Sequence, residues 1–179
     1  MRIIGGDLKG KSIIPPSGFT ARPTTDKAKE GLFNVLINQY DFEEEGLRVL
    51  DLFSGTGSIS YEFYSRGCRD IYSIEMNAGN AAFIKRTAAQ MAGSSIQVVH
   101  HNVFDFIKIC KIDFDIIFAD PPYDLAELDS IPEKIFAKGM LKEDGLLILE
   151  HPASYSFKDK EHFIKEKKYG NVHFSFFRI

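Results

Sequence analysis

The sequence predicts a doubly wound α/β domain: a mostly parallel, seven-stranded sheet with an antiparallel last strand, helices on both faces, and an N-terminal β-hairpin and helix in front. Three observations carry that expectation. From Leu47 onward, short runs rich in β-branched and aromatic residues alternate with stretches of helical periodicity, the pattern of right-handed βαβ crossovers. Several runs are apolar throughout rather than alternating, as strands covered on both faces are. Glycines or an acid stand after three of these runs, at the carboxyl ends where open α/β sheets bind their ligands.

The elements follow in order. Two apolar pairs, Ile3-Ile4 and Ile13-Ile14, flank a Gly/Asp/Lys turn and stop at Pro15-Pro16, which predicts a hairpin over residues 2–14. Pro23-Thr24-Thr25-Asp26 starts a helix, with Thr25 or Asp26 as its cap and Ala28, Leu32, Val35 and Leu36 at helical spacing. Residues 1–40 thus read as an N-terminal extension and residues 41–179 as the main domain, one compact unit. Strands are expected at 49–53, 71–75, 96–100, 114–119 and 145–150. Helices are expected up to about Arg66, at 78–91, at 103–109 and near 128–137. Residues 162–168 and 172–178, joined by Gly170-Asn171, look like a terminal hairpin that supplies the antiparallel member.

Composition narrows the function classes. The 179 residues are 44% hydrophobic and 26% charged, with a formal net charge of −3, which fits one ordinary globular domain. No apolar run approaches the roughly 18 residues of a membrane span, and the first residues are no signal peptide. Cys68 and Cys110 have neither metal-ligand nor disulfide spacing and suit a reducing cytoplasm. The five histidines form no metal spacing either, so they read as surface or strand-end residues and no metal is expected. Charge is unevenly placed. Within residues 1–40, Arg2, Lys9, Lys11, Arg22, Lys27 and Lys29 outnumber Asp7, Asp26 and Glu30 by three, and an acidic patch, Asp41 with Glu43 to Glu45, follows. A basic segment on a mildly acidic chain fits a local nucleic-acid contact.

The chemistry-bearing stretches lie after the strands. Asp51-Leu52-Phe53-Ser54-Gly55-Thr56-Gly57 is a strand end and a glycine loop, in which Gly55 and Gly57 let the backbone turn tightly and let a ligand come close. A dinucleotide enzyme would want a third glycine near position 60, where this chain has Ser60, and Asp51 is awkward beside a pyrophosphate. It suits a ligand carrying an ammonium or sulfonium. Glu75 ends the second strand, 20 residues after Gly55, where nucleotide-binding sheets place an acid for the ribose hydroxyls. Asn102 follows the third strand and either reads an adenine edge or caps the next helix, with Val103 or Phe104 packing on the ring. Asp120-Pro121-Pro122-Tyr123 is a stiff extended turn at the end of the fourth strand. It offers a carboxylate, a fixed backbone carbonyl and an aromatic face, a grip for a planar group bearing an NH2. Taken together, a nucleoside on three strand ends and this turn on the fourth suit an S-adenosylmethionine-dependent amino-methyltransferase.

The resemblance narrows at the front end. Arg2-Ile3-Ile4-Gly5-Gly6, Arg22-Pro23-Thr24-Thr25-Asp26-Lys27 with Glu30-Gly31-Leu32-Phe33-Asn34, the glycine loop and Asp120-Pro121-Pro122-Tyr123 occur in the order and spacing of one family. Over nearly its whole length the chain resembles the bacterial 16S rRNA (guanine-N(2))-methyltransferases of the RsmD type, which have a Rossmann-like class I methyltransferase fold. The resemblance implies methyl transfer from S-adenosylmethionine to the exocyclic 2-amino group of one guanine, 966 in the family's naming. It implies that Asp51, Gly55, Gly57 and Glu75, with Asn102 and Val103, hold the cofactor. Asp120, Pro121 and Tyr123 become the catalytic set. Pro122, Arg22, Thr24 and Lys27 become substrate contacts. Asn102 stands where many members have an acid. The implied partner is 16S rRNA or the assembling small subunit, met by a cytoplasmic monomer. Two other readings compete: an adenine-N(6) methyltransferase acting on DNA or RNA, which shares the turn, and a non-catalytic RNA-binding module on the same fold.

Overall fold

The structure, a computed structural model, describes residues 1–19, 24–91, 93 and 95–179. Its sheet has seven strands: β1 (Arg48–Leu52), β2 (Asp70–Glu75), β3 (Ile96–His100), β4 (Phe114–Ala119), β5 (Leu141–His151), β6 (Phe163–Tyr169) and β7 (Val172–Arg178). They lie in the order β3-β2-β1-β4-β5-β7-β6. β7 runs antiparallel to both of its neighbours, and the other pairings are parallel. This is the class I methyltransferase topology, as the sequence led us to expect. The order in which strands are added reverses between β1 and β4, which run parallel, so the carboxyl ends of β1, β2 and β4 open onto one crevice.

Among the described residues five α-helices cover the sheet: α1 (Asp26–Leu36), α2 (Ser58–Ser65), α3 (Ala78–Met91), α4 (Val103–Ile109) and α5 (Ile131–Lys138). The period-two alternation of the strands sorts the core into two layers. Val49, Ile116, Phe118, Leu146 and Ile148 face the layer that holds Phe33, Phe63 and Ile84. Leu50, Leu52, Ile117, Leu147 and Leu149 face the layer that holds Ile107, Leu128 and Ile135. Both layers are needed to bury strands this apolar, hence helices on both sides. Among the described residues no helix is long and apolar enough to cross a membrane.

The front end pairs antiparallel, as expected, over a short stretch only. The Arg2–Ser12 bridge is flanked by backbone hydrogen bonds from Ile3 to Lys11 at 3.0 Å, Gly10 to Ile3 at 2.8 Å and Ile13 to Met1 at 2.9 Å, and the ladder extends no further. The cause lies in where the backbone groups go. The Ile4 amide donates to Glu62 at 3.0 Å, the Asp7 amide to the Ser65 carbonyl at 2.7 Å, and the Leu8 amide to the Ser65 hydroxyl at 2.9 Å. The segment is thus bonded across itself near its ends and stapled to α2 through the amides of its turn. Gly6 makes this approach possible: its φ is +70°, and a Cβ there would overlap the Ser65 carbonyl. Underneath, Lys29 and Glu62, both essentially without solvent exposure, face each other at 3.6 Å, with Arg66 on the other Glu62 oxygen at 3.0 Å. Burial pulls the Lys29 ammonium below its ordinary range, against the attraction of Glu62.

Smaller differences have local reasons. Thr25, not Asp26, caps α1, its hydroxyl accepting from the Ala28 amide at 3.2 Å. The helix expected near residues 128–137 opens with a 3₁₀ turn, Leu128–Ser130, before α5. β5 starts at Leu141, earlier than expected, because Leu141 pairs with Phe114 ahead of a register shift.

Candidate active site

The donor end is built where β1 becomes α2. Phe53, the residue after β1, has φ +60°, a left-handed value that non-glycine residues seldom take and that strains the backbone. It throws the chain into a turn whose glycines, Gly55 at φ +52° and Gly57 at φ +79°, continue left-handed up to the first turn of α2. A Cβ on Gly57 would lie 2.6 Å from the ring of the buried Tyr61. Glu75 closes the loop from the neighbouring strand. Its two carboxylate oxygens accept from the Gly55 amide at 2.8 Å and the Asn77 amide at 2.7 Å.

Asp51 lies beneath the loop, 1% exposed. Its Oδ2 accepts from the Ser60 amide at 3.1 Å and from the Ser60 hydroxyl at 2.5 Å, and that hydroxyl also meets the Ser73 hydroxyl at 2.5 Å. Burial pushes the carboxyl up to about 7; the Ser60 bonds pull the other way without overcoming it. A cation arriving beside Asp51 would restore its charge. Ser60, a position notable in the sequence only for lacking glycine, is therefore the residue that holds Asp51.

Asn102 settles one question left open by its position. Its Oδ1 caps α4, accepting from Phe104 at 2.9 Å and Asp105 at 3.3 Å, while Nδ2 reaches the Met76 sulfur at 3.4 Å. The capping role is in place, and the amide nitrogen is engaged with Met76 beside the cleft. Val103 is buried, and Phe104 meets Phe53 edge-to-face at 6.2 Å, so the two aromatic residues flank the same wall.

The acceptor end begins one residue after β4. The Asp120 amide donates to the Leu52 carbonyl at 3.3 Å, which fixes the turn against the strand that carries Asp51. Pro121 is buried, while Pro122 and Tyr123 are exposed. The Tyr123 hydroxyl donates to Oε1 of Glu150 at 3.0 Å. Glu150, 4% exposed, comes from β5, whose pairing of Leu149 with Ala119 sets Glu150 beside Asp120. Burial raises the Asp120 carboxyl well above its ordinary value, and the nearby acids Glu150 and Asp51 raise it further. Glu150 had no role in the sequence reading, although an acid closing the apolar run Leu146–Leu149 repeats the signal that marked Glu75.

One cleft of about 640 Å³ joins the two ends. The candidates Asp51, Gly55, Glu75, Asn102, Val103 and the Asp120–Tyr123 turn line it, together with Thr24, Thr25 and Asn171 at the rim. Gly57 acts beneath the surface, through the turn. Lys27 is exposed but lies outside the cleft wall. Arg22 lies outside the described residues. Of the basic front end, Lys29 is buried against Glu62 and Arg2 pairs with Asp26 at 2.8 Å, whereas Lys9, Lys11 and Lys27 are exposed. The histidines differ as well: His151 and His173 are buried, and with Glu166 their ligand atoms fall within 4.8 Å of one another. Both ring nitrogens of His151 are already engaged, by the Pro152 carbonyl and the Ser175 hydroxyl, and His173 meets Glu166 at 2.9 Å.

A family profile described as Conserved hypothetical protein 95 matches residues 1–178. The chain belongs to that family. Its relatives identify the family as the RsmD-type rRNA methyltransferases. The Ribosomal RNA small subunit methyltransferase D of Escherichia coli K12 is 32% identical over 84% of this chain and 74% of its own. YlbH of Bacillus subtilis, whose name marks it as a provisional rRNA methyltransferase, is 35% identical over 84% of this chain and 82% of its own. The solved structure of a hypothetical protein from Thermus thermophilus superposes with a TM-score of 0.84 at 26% identity, covering 100% of this chain and 99% of that one. In this RsmD-family chain, of the stretches that carried the resemblance, the glycine loop, the Asp120–Tyr123 turn and Thr24-Thr25 line the cleft, whereas Arg2 to Gly6 lie outside it.

Proposed function

We propose that the protein transfers a methyl group from S-adenosylmethionine to the 2-amino group of a guanine in 16S rRNA. The observation that carries this reading is the joining, in one cleft, of a donor end fitted to a cationic nucleoside and the Asp120-Pro121-Pro122-Tyr123 grip. The donor end fits the cofactor chemically. Glu75 can accept ribose hydroxyls with lone pairs its two backbone donors leave over, Phe53, Val103 and Phe104 offer apolar walls for adenine, and buried Asp51 favours an ammonium or sulfonium. When bound, S-adenosylmethionine supplies an electrophilic methyl group on a positive sulfur.

The rest is done by the chain. A guanine amino group is a poor nucleophile, since its lone pair is delocalised into the ring. Asp120 and the Pro121 carbonyl accept its two hydrogens, so the nitrogen can pyramidalise and direct its lone pair out of the ring plane. As the nitrogen–carbon bond forms, the methyl–sulfur bond would break and S-adenosylhomocysteine would leave, while Asp120 takes the proton that the amine must lose. Tyr123, its hydroxyl tethered to Glu150, presents a ring for stacking, worth about 1–3 kcal/mol in other base–aromatic contacts. Reaching the amino group requires an unpaired or flipped base. The exposed Lys9, Lys11 and Lys27, with Arg22 and Thr24 beside them in sequence, serve the RNA backbone. On this reading the protein works in the cytoplasm, as a monomer, on 16S rRNA or the assembling small subunit.

Incubation with labelled S-adenosylmethionine and, in parallel, small-subunit particles, naked 16S rRNA and DNA tests the proposal. Label is expected on a guanine N2 of small-subunit RNA. Label on adenine, or on DNA in preference to RNA, would overturn it.

A further inference from the structure

We propose that Glu150 reads the N1–H of the target guanine, and so selects guanine over other bases that carry an amino group. The inference rests on the guanine reading above and assigns a role to a residue outside the methyl-transfer chemistry.

Three observations support it. The first is placement. β4 and β5 are parallel neighbours with Ala119 opposite Leu149, so Asp120 and Glu150 leave adjacent strand ends, and both line the cleft. Neighbouring strands lie about 4.8 Å apart, close enough for two carboxylates to meet adjacent donors on one base edge. The second is burial. Glu150 is 4% exposed, an unusual place for an acid unless hydrogen-bond donors meet it. The third is the link to Tyr123, whose hydroxyl donates to Glu150 Oε1 at 3.0 Å. The residue that holds the stacking ring therefore sits at the edge of whatever that ring stacks on.

The chemistry then separates the bases. Guanine presents N1–H directly beside its 2-amino group, two donors in a row. Adenine and cytosine present a ring-nitrogen lone pair beside their amino groups. An ionised carboxylate only accepts. It attracts the first arrangement and repels the second, so the same side chain both favours guanine and penalises its competitors. A turn of the Asp-Pro-Pro-Tyr type grips any amino group; Glu150 supplies the discrimination.

The test uses a single-stranded 16S fragment carrying either guanine or 2-aminopurine at the methylated position. The analogue keeps the 2-amino group but has a lone pair at N1. Wild-type protein with S-adenosylmethionine should prefer guanine in kcat/KM by roughly ten- to hundredfold, the worth of a charge-assisted hydrogen bond. Glu150→Gln can donate from its amide to that lone pair, so it should lose activity on guanine and shift the ratio toward, or past, equality. Cofactor affinity by calorimetry should stay unchanged. Tyr123→Phe removes the tether alone and should slow both substrates while keeping the wild-type ratio. A Glu150→Gln ratio equal to the wild-type ratio would show that Glu150 only anchors Tyr123 and would overturn the proposal. Equal wild-type use of both substrates would overturn it too, even if Glu150→Gln failed to fold. Failure of the wild type to methylate guanine in any RNA would instead strike the reading on which this one rests.

Discussion

Replacing Ser60 with alanine tests how the donor end of the cleft is tuned. Ser60 gives Asp51 two hydrogen bonds, and both oppose the burial that lifts the carboxyl to about 7. The substitution deletes the hydroxyl bond and leaves the amide bond in place. A hydrogen bond to a charged group contributes about 1.5–3 kcal/mol, and about 1.4 kcal/mol corresponds to one pKa unit, so the Asp51 value should rise by roughly one to two units. Only the ionised carboxylate attracts a sulfonium or ammonium, so affinity for S-adenosylmethionine should increase with pH through the Asp51 pKa and level off above it. For the wild type that rise centres on about 7. For Ser60→Ala the same rise should appear, displaced upward by one to two units, with a proton released on binding over that range. Calorimetry in buffers of differing ionisation heat reads affinity and released proton together. Stability has the opposite sign. A carboxyl whose folded value is about 7 against an ordinary 3.8 favours the fold at low pH, and that contribution is lost as pH rises through the folded value. The ligand-free variant should therefore be most weakened relative to wild type at alkaline pH. An unchanged midpoint of binding in Ser60→Ala would refute Asp51 as the ionising group.

Other substitutions report on the remaining parts. Asp120→Ala should hold S-adenosylmethionine with near wild-type affinity and lose methyl transfer by about 100-fold or more, the usual worth of a positioned proton acceptor; near-normal turnover would sink the mechanism. Gly57→Val places a branched side chain at φ +79° with its Cβ 2.6 Å from the Tyr61 ring, and calorimetry should show cofactor binding abolished. Lys29→Met leaves the Glu62 charge buried with Arg66 as its remaining ion-pair partner, and denaturant melts should show a loss near the low end of about 3–5 kcal/mol.

Much of the fold was legible because its punctuation is local. The strands at 96–100 and 114–119 and the helices at 78–91 and 103–109 begin and end where expected. Asn102 and Pro121 mark such boundaries by their own chemistry. What the sequence hid depends on partners far along the chain. The front segment reads as a hairpin because its apolar pairs face one another, and its ends do pair, yet the amides of Ile4 and Leu8 are taken by Glu62 and Ser65, more than 50 residues away. Lys29 reads as one more exposed cation until Glu62 is placed beneath it. Glu150 reads only as the last residue of the fifth strand, and only the register of β5 on β4 brings it beside Asp120. The candidate site was legible where one short stretch carries the chemistry, as in the glycine loop and the Asp-Pro-Pro-Tyr turn. It was not legible where two strands combine to make it.

The gathering of Asp51, Asp120 and Glu150 bears on the order of events in the proposed reaction. Burial and the two neighbouring acids all bias the Asp120 carboxyl toward holding its proton. A positively charged donor entering beside Asp51 lowers the cost of negative charge throughout the group and so favours release of that proton. On the proposed mechanism, the molecule that delivers the methyl group would also ready the base that receives the proton of the amine.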